Sequence, residues 1–206
     1  MGIIQLDLFL TLDGVAQAPG GPTEDPEGGF RFGGWQAPLV DAETGAQIAA
    51  EIEATDALLL GRKTYDIWAG HWPTEAAPAG PIADRINAVP KYVASRTLTE
   101  PGWAGTTVLG PDLAAELAAL RNRHAQTHIW GSTDLTQSLL AAGLIDRLVL
   151  WIHPVLLGEG KRLFGAGVVP ANARLVEPAV TSPRGIVRLR YDLERTEPAV
   201  GDMTRA

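Results

Sequence analysis

Two kinds of hydrophobic pattern alternate along the chain. Ile3 to Leu12 alternates apolar and polar positions and is rich in strand-favouring residues. Asp41 to Thr55 sets Ile48, Ile52 and several alanines on one helical face, with Glu51 and Glu53 elsewhere. Ala57 to Leu60 is a continuous apolar run that stops at Gly61, as a buried strand does. A helix is predicted through Tyr65 and Trp68, and another over Ile82 to Ala88. Lys91 to Ser95 and Thr106 to Leu109 read as strands, and Asp112 caps a helix carrying Leu113, Leu117 and Leu120. Thr127 to Trp130 is a strand ending at Gly131, and Thr133 to Ala142 is a helix closed by Gly143. Asp146 to Val155 alternates again. In the last strand Ile186, Arg188, Arg190 and Asp192 alternate with Val187, Leu189, Tyr191 and Leu193.

This order predicts an α/β fold of three layers: a mostly parallel central sheet, antiparallel strands at its C-terminal edge, and helices on both faces. Ligands of such sheets sit at the carboxyl ends of the strands, beside helix N-termini. Residues 1–195 form one expected domain and 196–206 a flexible tail. Two Gly/Pro-rich loops interrupt the pattern, Pro19 to Gly34 and Pro73 to Pro81. Loops of that length in a compact domain commonly serve function.

Composition narrows the chemistry. At 46% hydrophobic and 20% charged, the 206 residues can bury a sizeable core. A net charge of −7 argues against nucleic acid or an anionic membrane as partner, although a local basic pocket for a phosphate stays open. No run reaches the ~18 apolar residues of a membrane span and no secretory signal is visible, so a cytoplasmic protein is expected. The absence of cysteine excludes a disulfide scaffold, thiolate metal sites and a cysteine nucleophile. Tryptophan supplies six of thirteen aromatic residues.

Two strand-to-helix junctions carry the first candidate chemistry. Gly61-Arg62-Lys63-Thr64-Tyr65 and Gly131-Ser132-Thr133-Asp134-Leu135 each place glycine and hydroxyls at a helix N-terminus, where free N–H groups suit a phosphate. Each also reads as simple helix capping; the pair is more informative than either alone. Ser95-Arg96, at another strand end, offers a hydroxyl and a guanidinium to a further phosphate, or is a surface arginine. Gly158-Glu159-Gly160-Lys161-Arg162 is not a P-loop, because position 155 is valine and Arg162 follows the lysine. No G-x-G-x-x-G fingerprint and no G-x-S-x-G elbow occurs. His124 and His128 lack the spacing and acidic partner of a metal motif, and no metal is expected; His71 and His153 read as packing or surface residues.

Together these residues resemble the dihydrofolate reductase-like superfamily, and within it the C-terminal reductase domain of the riboflavin-biosynthesis enzyme RibD. The resemblance is carried by Leu12-Asp13-Gly14-Val15, Gly61 to Tyr65, Ser95-Arg96, Gly131-Ser132, Leu139 to Asp146, His153 to Gly158 and Gly160 to Phe164. It implies a dihydrofolate reductase-like fold and NADPH as cofactor. It places Arg62, Lys63, Thr64, Ser95 and Arg96 at the adenosine 2′-phosphate and adjoining phosphate. Gly131, Ser132, Thr133 and Leu135 would face the pyrophosphate, and Val15, Ala16 and Gln17 the nicotinamide. The folate-type acid, five residues after a tryptophan, is displaced: Trp35 is followed by Pro38 and by Asp41 six positions on. Asp13 and Asp41 are the candidate catalytic acids; Asp13 also reads as a turn residue and Asp41 as a helix cap.

No H-x-E with P-C-x-x-C, the zinc deaminase signature, occurs in these residues, so a stand-alone reductase-like domain is expected. The expected function is an NADPH-dependent reductase of a small planar heterocycle, pterin- or pyrimidine-like, or of a related carbonyl or imine. The alternatives are a non-catalytic nucleotide-binding module of the same fold and a flavin in the same cleft. Trp35, Trp68 and Trp72, beside the two loops, and Tyr65 are the candidate substrate contacts. Trp130 and Trp151 read as core or interface. A homodimer is expected through the apolar strand Leu148 to Pro154 and the segment to Phe164.

Overall fold

The computed structural model describes residues 1–165 and 167–204. Among them a nine-stranded sheet runs in the order β4-β3-β2-β5-β1-β6-β9-β7, with β8 paired to β9. The strands are β1 (Ile3–Thr11), β2 (Ala57–Gly61), β3 (Lys91–Ala94), β4 (Thr106–Val108), β5 (Gln126–Trp130), β6 (Arg147–His153), β7 (Asn172–Leu175), β8 (Val180–Thr181) and β9 (Val187–Glu194). The first six are mutually parallel; β7 and β8 join antiparallel to β9, and β9 antiparallel to β6. The helices are α1 (Ala42–Glu53), α2 (Arg62–Ala69), α3 (Pro81–Ala88), α4 (Leu113–Arg123) and α5 (Thr133–Ala141). No helix among the described residues is long and apolar enough to cross a membrane. The expected α/β architecture, parallel centre and antiparallel C-terminal edge are therefore present.

The central strands are covered on both sides. From β1, Ile4, Leu6, Leu8 and Leu10 join one core cluster with Leu117 and Leu120 of α4 and Leu139 of α5. The opposite cluster contains Trp130, Val149 and Trp151 with Ile52 of α1 and Ile86 of α3, and Phe9 packs against it. Phe9, Trp130 and Trp151 meet at centroid distances of 5.3–5.8 Å. The polar positions of β1 are not turned to water. Gln5 and Asp7 are fully buried and meet Glu51 of α1 and His128 of β5.

This polar cluster continues across the sheet. The Gln5 amide donates to Asp7 Oδ1 at 2.9 Å and to Glu51 Oε2 at 3.1 Å. His128 Nδ1 lies 2.7 Å from Asp7 Oδ2, a contact that is favourable only with a proton on Nδ1. Arg188 and Arg190 of β9 both reach Glu51, and Glu177 accepts from both on the far side. Asp7, Glu51 and His128 bring ligand atoms within 4.8 Å of one another. Yet Gln5 Nε2 already bridges the two carboxylates, and the arginines neutralise Glu51. The donor set is committed to the fold rather than arranged around a cation.

Strand β6 lies inside the sheet, between β1 and β9, and Leu148 to Trp151 are buried within the chain. Its apolar character is satisfied within the chain, so this strand is not an open apolar edge. Large apolar side chains exposed nearby are Leu12, Leu156 and Phe164.

Candidate functional site

The carboxyl ends of β1, β2, β3 and β5 open into a cleft of about 1290 Å³. The end suited to phosphate is built by two helices that start at neighbouring strand ends. Helix α2 begins after Gly61 and α5 after Ser132, and neither has a side-chain cap. Their first N–H groups therefore remain available to a ligand. The two starts are tied together: the Gly61 N–H donates to Ser132 Oγ at 2.9 Å, and the Ser132 N–H donates to Thr64 Oγ1 at 3.0 Å.

Backbone conformation favours glycine at Gly131, whereas a side chain at Gly61 would meet only ordinary van der Waals contacts. A Cβ on Gly61 would sit 3.4 Å from Leu135 Cβ and 3.5 Å from Ser132 Cβ. Gly131 and Ser132 both have left-handed backbone, with φ of 60° and 53°. That conformation is costly for serine, and the bonds to Thr64 and from Gly61 hold it there. The hydroxyls of Ser132 and Thr64 therefore serve first to join the two helix starts and only second as ligand donors.

The charges around the cleft are mostly paired. Arg62 Nε donates to both oxygens of Asp66, at 2.9 and 2.8 Å. Lys63 of α2 and Lys161 both reach Asp25 and Glu27 on the Gly/Pro-rich loop. Although burial opposes it, hydrogen bonds to Glu27 and Asp25 hold the Lys161 ammonium above the ordinary lysine range. Arg96 lines the cleft with no hydrogen-bond or ion-pair partner among the described residues.

Of the cofactor candidates, Ala16, Gln17, Gly61, Arg62, Lys63, Thr64, Ser95, Arg96, Gly131, Ser132, Thr133 and Leu135 line this one cleft. Val15 does not; it is fully buried, and its N–H donates to Thr11 Oγ1. Gln17 faces the cleft but its amide is engaged: it donates to the carbonyls of Asp25 and Glu27 and accepts from the Lys161 N–H.

The two candidate acids stand outside the cleft. Asp13 accepts from Thr11 Oγ1 at 2.6 Å, from the N–H groups of Leu157 and Gly158, and from Arg162. The Thr11 hydrogen bond, with those backbone bonds and Arg162, holds its carboxyl far below the usual range. It is an anchor for the loop after β6 and carries no proton to donate near neutrality. Asp41 caps α1 through the Thr44 N–H at 2.8 Å, which lowers its carboxyl as well. A loop anchor and a helix cap thus replace the two expected proton donors.

The tryptophans divide. Trp68 and Trp72 line the cleft, half-buried, edge to face at 5.7 Å. Trp35 is 8% exposed; its indole N–H donates to the Gln17 carbonyl at 2.8 Å and its ring stands edge-on to His153. Tyr65 is 3% exposed and its hydroxyl accepts from the Trp103 N–H. Trp35 and Tyr65 are core residues, because the segments that carry them fold back over the sheet.

Glu24, Gln36 and Lys161 also line the cleft; Lys161 falls in the Gly160 to Phe164 segment that carries the resemblance, without a role assigned to it, and no sequence motif marks the other two. Only the Gly/Pro-rich composition around the first two marks their loop. Burial raises the Glu24 carboxyl, against the N–H groups of Gly20 and Gly21 that bond it.

Comparison with known proteins places this architecture. The uncharacterised protein YyaP of Bacillus subtilis (strain 168) is 28% identical over 194 residues, covering 91% of this chain and 93% of that one. A Shewanella sp. PV-4 protein named for riboflavin biosynthesis superimposes with TM-score 0.66 at 20% identity, covering 94% and 99% of the two chains. A pyrimidine reductase-like protein of Corynebacterium diphtheriae gives TM-score 0.61 at 15% identity, covering 95% and 93%. A Thermotoga maritima diaminohydroxyphosphoribosylaminopyrimidine deaminase/5-amino-6-(5-phosphoribosylamino)uracil reductase gives TM-score 0.61 at 13% identity; the chain spans 56% of that longer protein. The family model of the RibD C-terminal domain matches residues 3–187, and with the strand order and paired helix starts already described, the chain belongs to the RibD C-terminal domain family.

Proposed function

We propose that the protein is an NADPH-dependent reductase of a small planar heterocycle or a related carbonyl or imine, working in the cytoplasm as a homodimer. One observation carries the reading: two uncapped helix starts, locked together by Ser132 and Thr64, meet in one cleft beside the unpaired Arg96. Backbone N–H groups and a guanidinium are the donor set a pyrophosphate and a ribose phosphate require. The residues fit the cofactor that the family implies. Thr64, Gly131, Ser132 and Thr133 would hold its pyrophosphate, and Arg62, Ser95 and Arg96 its outer phosphate. NADPH, when bound, supplies the hydride.

The chain's own part is to bind, orient and protonate. Trp68 and Trp72 flank the cleft and exclude water from a flat substrate. Asp13 and Asp41 lie elsewhere; Glu24 lines the cleft together with Asp25, Asp66 and Asp134, and burial raises its pKa, which suits it as the proton donor. The sign follows: turnover falls as pH rises through the Glu24 pKa, because the donor is the protonated acid. Glu24→Gln is expected to lower kcat about a hundredfold and to flatten that limb of the pH profile. An unchanged profile hands the proton to solvent; with no turnover of any pterin, pyrimidine or quinone, the nucleotide-binding module without chemistry becomes the better reading.

The cofactor is tested directly. Titration with NADPH should quench tryptophan fluorescence, and Arg96→Ala should weaken binding by about ten- to a hundredfold, the worth of a charge-assisted bond. No quenching and no thermal shift at millimolar NADPH would sink the proposal.

A further inference from the structure

The Trp72 wall of the cleft is held from behind by a residue that does not line it. Trp72 lies in the turn after α2, and the segment 70–79 bonds mostly to itself and to that helix. Its N–H groups donate to the carbonyls of Asp66, Trp68, His71 and Thr74 and to the Thr74 hydroxyl. Among the described residues, the hydrogen bond that reaches this segment from another element is Asn87 Nδ2 to the Trp72 carbonyl, at 2.8 Å.

Asn87 stands on the last turn of α3, and its amide fits in one orientation only. Its Oδ1 accepts from the Trp103 indole N–H at 2.9 Å, and an indole N–H can only donate. Its Nδ2 then faces the Trp72 carbonyl, which can only accept. Each half of the amide meets a partner that the other half could not serve.

The support around Asn87 is rigid. Trp103 is 4% exposed, and its main-chain N–H donates to the Tyr65 hydroxyl at 3.2 Å. Lys91, at the start of β3, is fully buried and forms no ion pair among the described residues. Its ammonium donates to the carbonyls of Asn87 and Ala104 and lies 4.6 Å from the centroid of the Trp103 ring. The Asn87 carbonyl is one of the last in α3 and has no acceptor role within its own helix, so Lys91 supplies the missing donor. On the neighbouring turn Arg85 donates to the Thr55 carbonyl at 2.7 Å and pins α3 to the end of α1. The amide of Asn87 is therefore a fixed point, and the Trp72 turn hangs from it.

We infer that Asn87 is the positioning residue of the Trp72 wall: from outside the cleft it sets where that ring stands, and so how firmly a flat ligand is gripped. The inference rests on the proposed function only where that reading gives Trp72 a flat ligand. The test is Asn87→Asp at neutral pH. This nearly isosteric carboxylate still accepts from Trp103 but turns an oxygen, not a donor, toward the Trp72 carbonyl. Hydrogen exchange of the full chain, read by mass spectrometry, should be at least about fivefold faster in the segment 70–79, the size of one neutral hydrogen bond, and unchanged in β1 and β5. Trp103→Phe removes a bond to Asn87 but leaves the one to Trp72, and should accelerate the segment less. Titration with pterin, followed by its own fluorescence, should show weaker binding by Asn87→Asp. The double variant with Trp72→Ala should bind no more weakly than Trp72→Ala alone, since a residue that acts through the ring adds nothing once the ring is gone. Asn87→Ser, too short to reach the Trp72 carbonyl, serves should the aspartate variant fail to fold. Unchanged exchange in 70–79, acceleration spread equally over β1 and β5, an equal effect of Trp103→Phe, or additive pterin losses overturns the inference. A protein that ignores pterin, yet loosens in 70–79 when Asn87 alone is replaced, supports the positioning role and overturns the flat-ligand reading of Trp72 instead.

Discussion

Replacing Glu51 by alanine is expected to cost about 3–5 kcal/mol of folding stability, the range for breaking a buried ion pair by removing one partner. Glu51 is 4% exposed and meets Arg188, Arg190 and the Gln5 amide. Its removal leaves two largely buried guanidinium groups sharing Glu177, and an amide donor without its acceptor. The desolvation of those groups has then been incurred with no partner to offset it. Urea denaturation at neutral pH measures the loss. Glu51→Gln keeps the shape and an acceptor oxygen, so it should cost less than alanine. A loss below about 1 kcal/mol for the alanine variant, the scale of a surface pair, would mean that water enters the cluster and solvates it.

The second large effect separates two tryptophans. Trp35→Ala is expected to cost about 3–5 kcal/mol, the range for deleting a large buried aromatic side chain. The ring packs with Val15, Ala18 and Phe30, stands edge-on to His153 and bonds the Gln17 carbonyl. That carbonyl belongs to the segment that borders the cleft, so the variant should also loosen the Gly/Pro-rich loop. Trp72→Ala removes a half-buried ring from the cleft wall. It should cost at most about half as much stability, since less surface is buried, and should weaken planar ligands instead. Thermal unfolding and ligand titration on the two variants give the comparison. Equal, large stability losses would place both rings in the core; an intact Trp35→Ala fold with lost ligand binding would return Trp35 to the substrate site.

Glu51 and Trp35 show where a sequence pattern stops being informative. The alternation of β1 and β9 marks them as strands, and alternation ordinarily means that the polar side faces water. Here Gln5, Asp7, Arg188 and Arg190 meet one another and Glu51 beneath α1. Their charges cancel only after α1, β1 and β9, far apart in the chain, have come together. The period identifies a strand; what covers each of its faces is a long-range property. Trp35 is legible as a residue beside a Gly/Pro-rich loop, but not as one whose loop folds inward.

The candidate site divides in the same way. The glycines and hydroxyls of the two helix starts are readable, because a left-handed turn and a helix N-terminus are local to each strand end. The resemblance carried by those segments covers nearly the whole chain, and the family match over residues 3–187 agrees with it. Asp41 is readable as a cap for the same reason, since a cap acts on the next turn of its own helix. Asp13 acts 144 residues away, on the N–H of Leu157 and of Gly158 beside it, and its sequence neighbours do not announce that. Gln36 and Glu24 are marked only by the Gly/Pro-rich composition around them; their place in the cleft wall exists only once that loop has folded over the strand ends.

The sequence by itself therefore determined the alternation of strands and helices, the mostly parallel sheet with its antiparallel C-terminal edge, and the two strand-to-helix junctions, because each depends on short-range periodicity and steric allowance; β7, β8 and the order of strands in the sheet came from the structure. Only the tertiary structure decided which polar residues are buried, which cations are already neutralised, and which cation in the cleft still lacks a partner. Desolvation and charge pairing depend on what lies within a few ångströms in space, and that neighbourhood is set by residues distant in the chain.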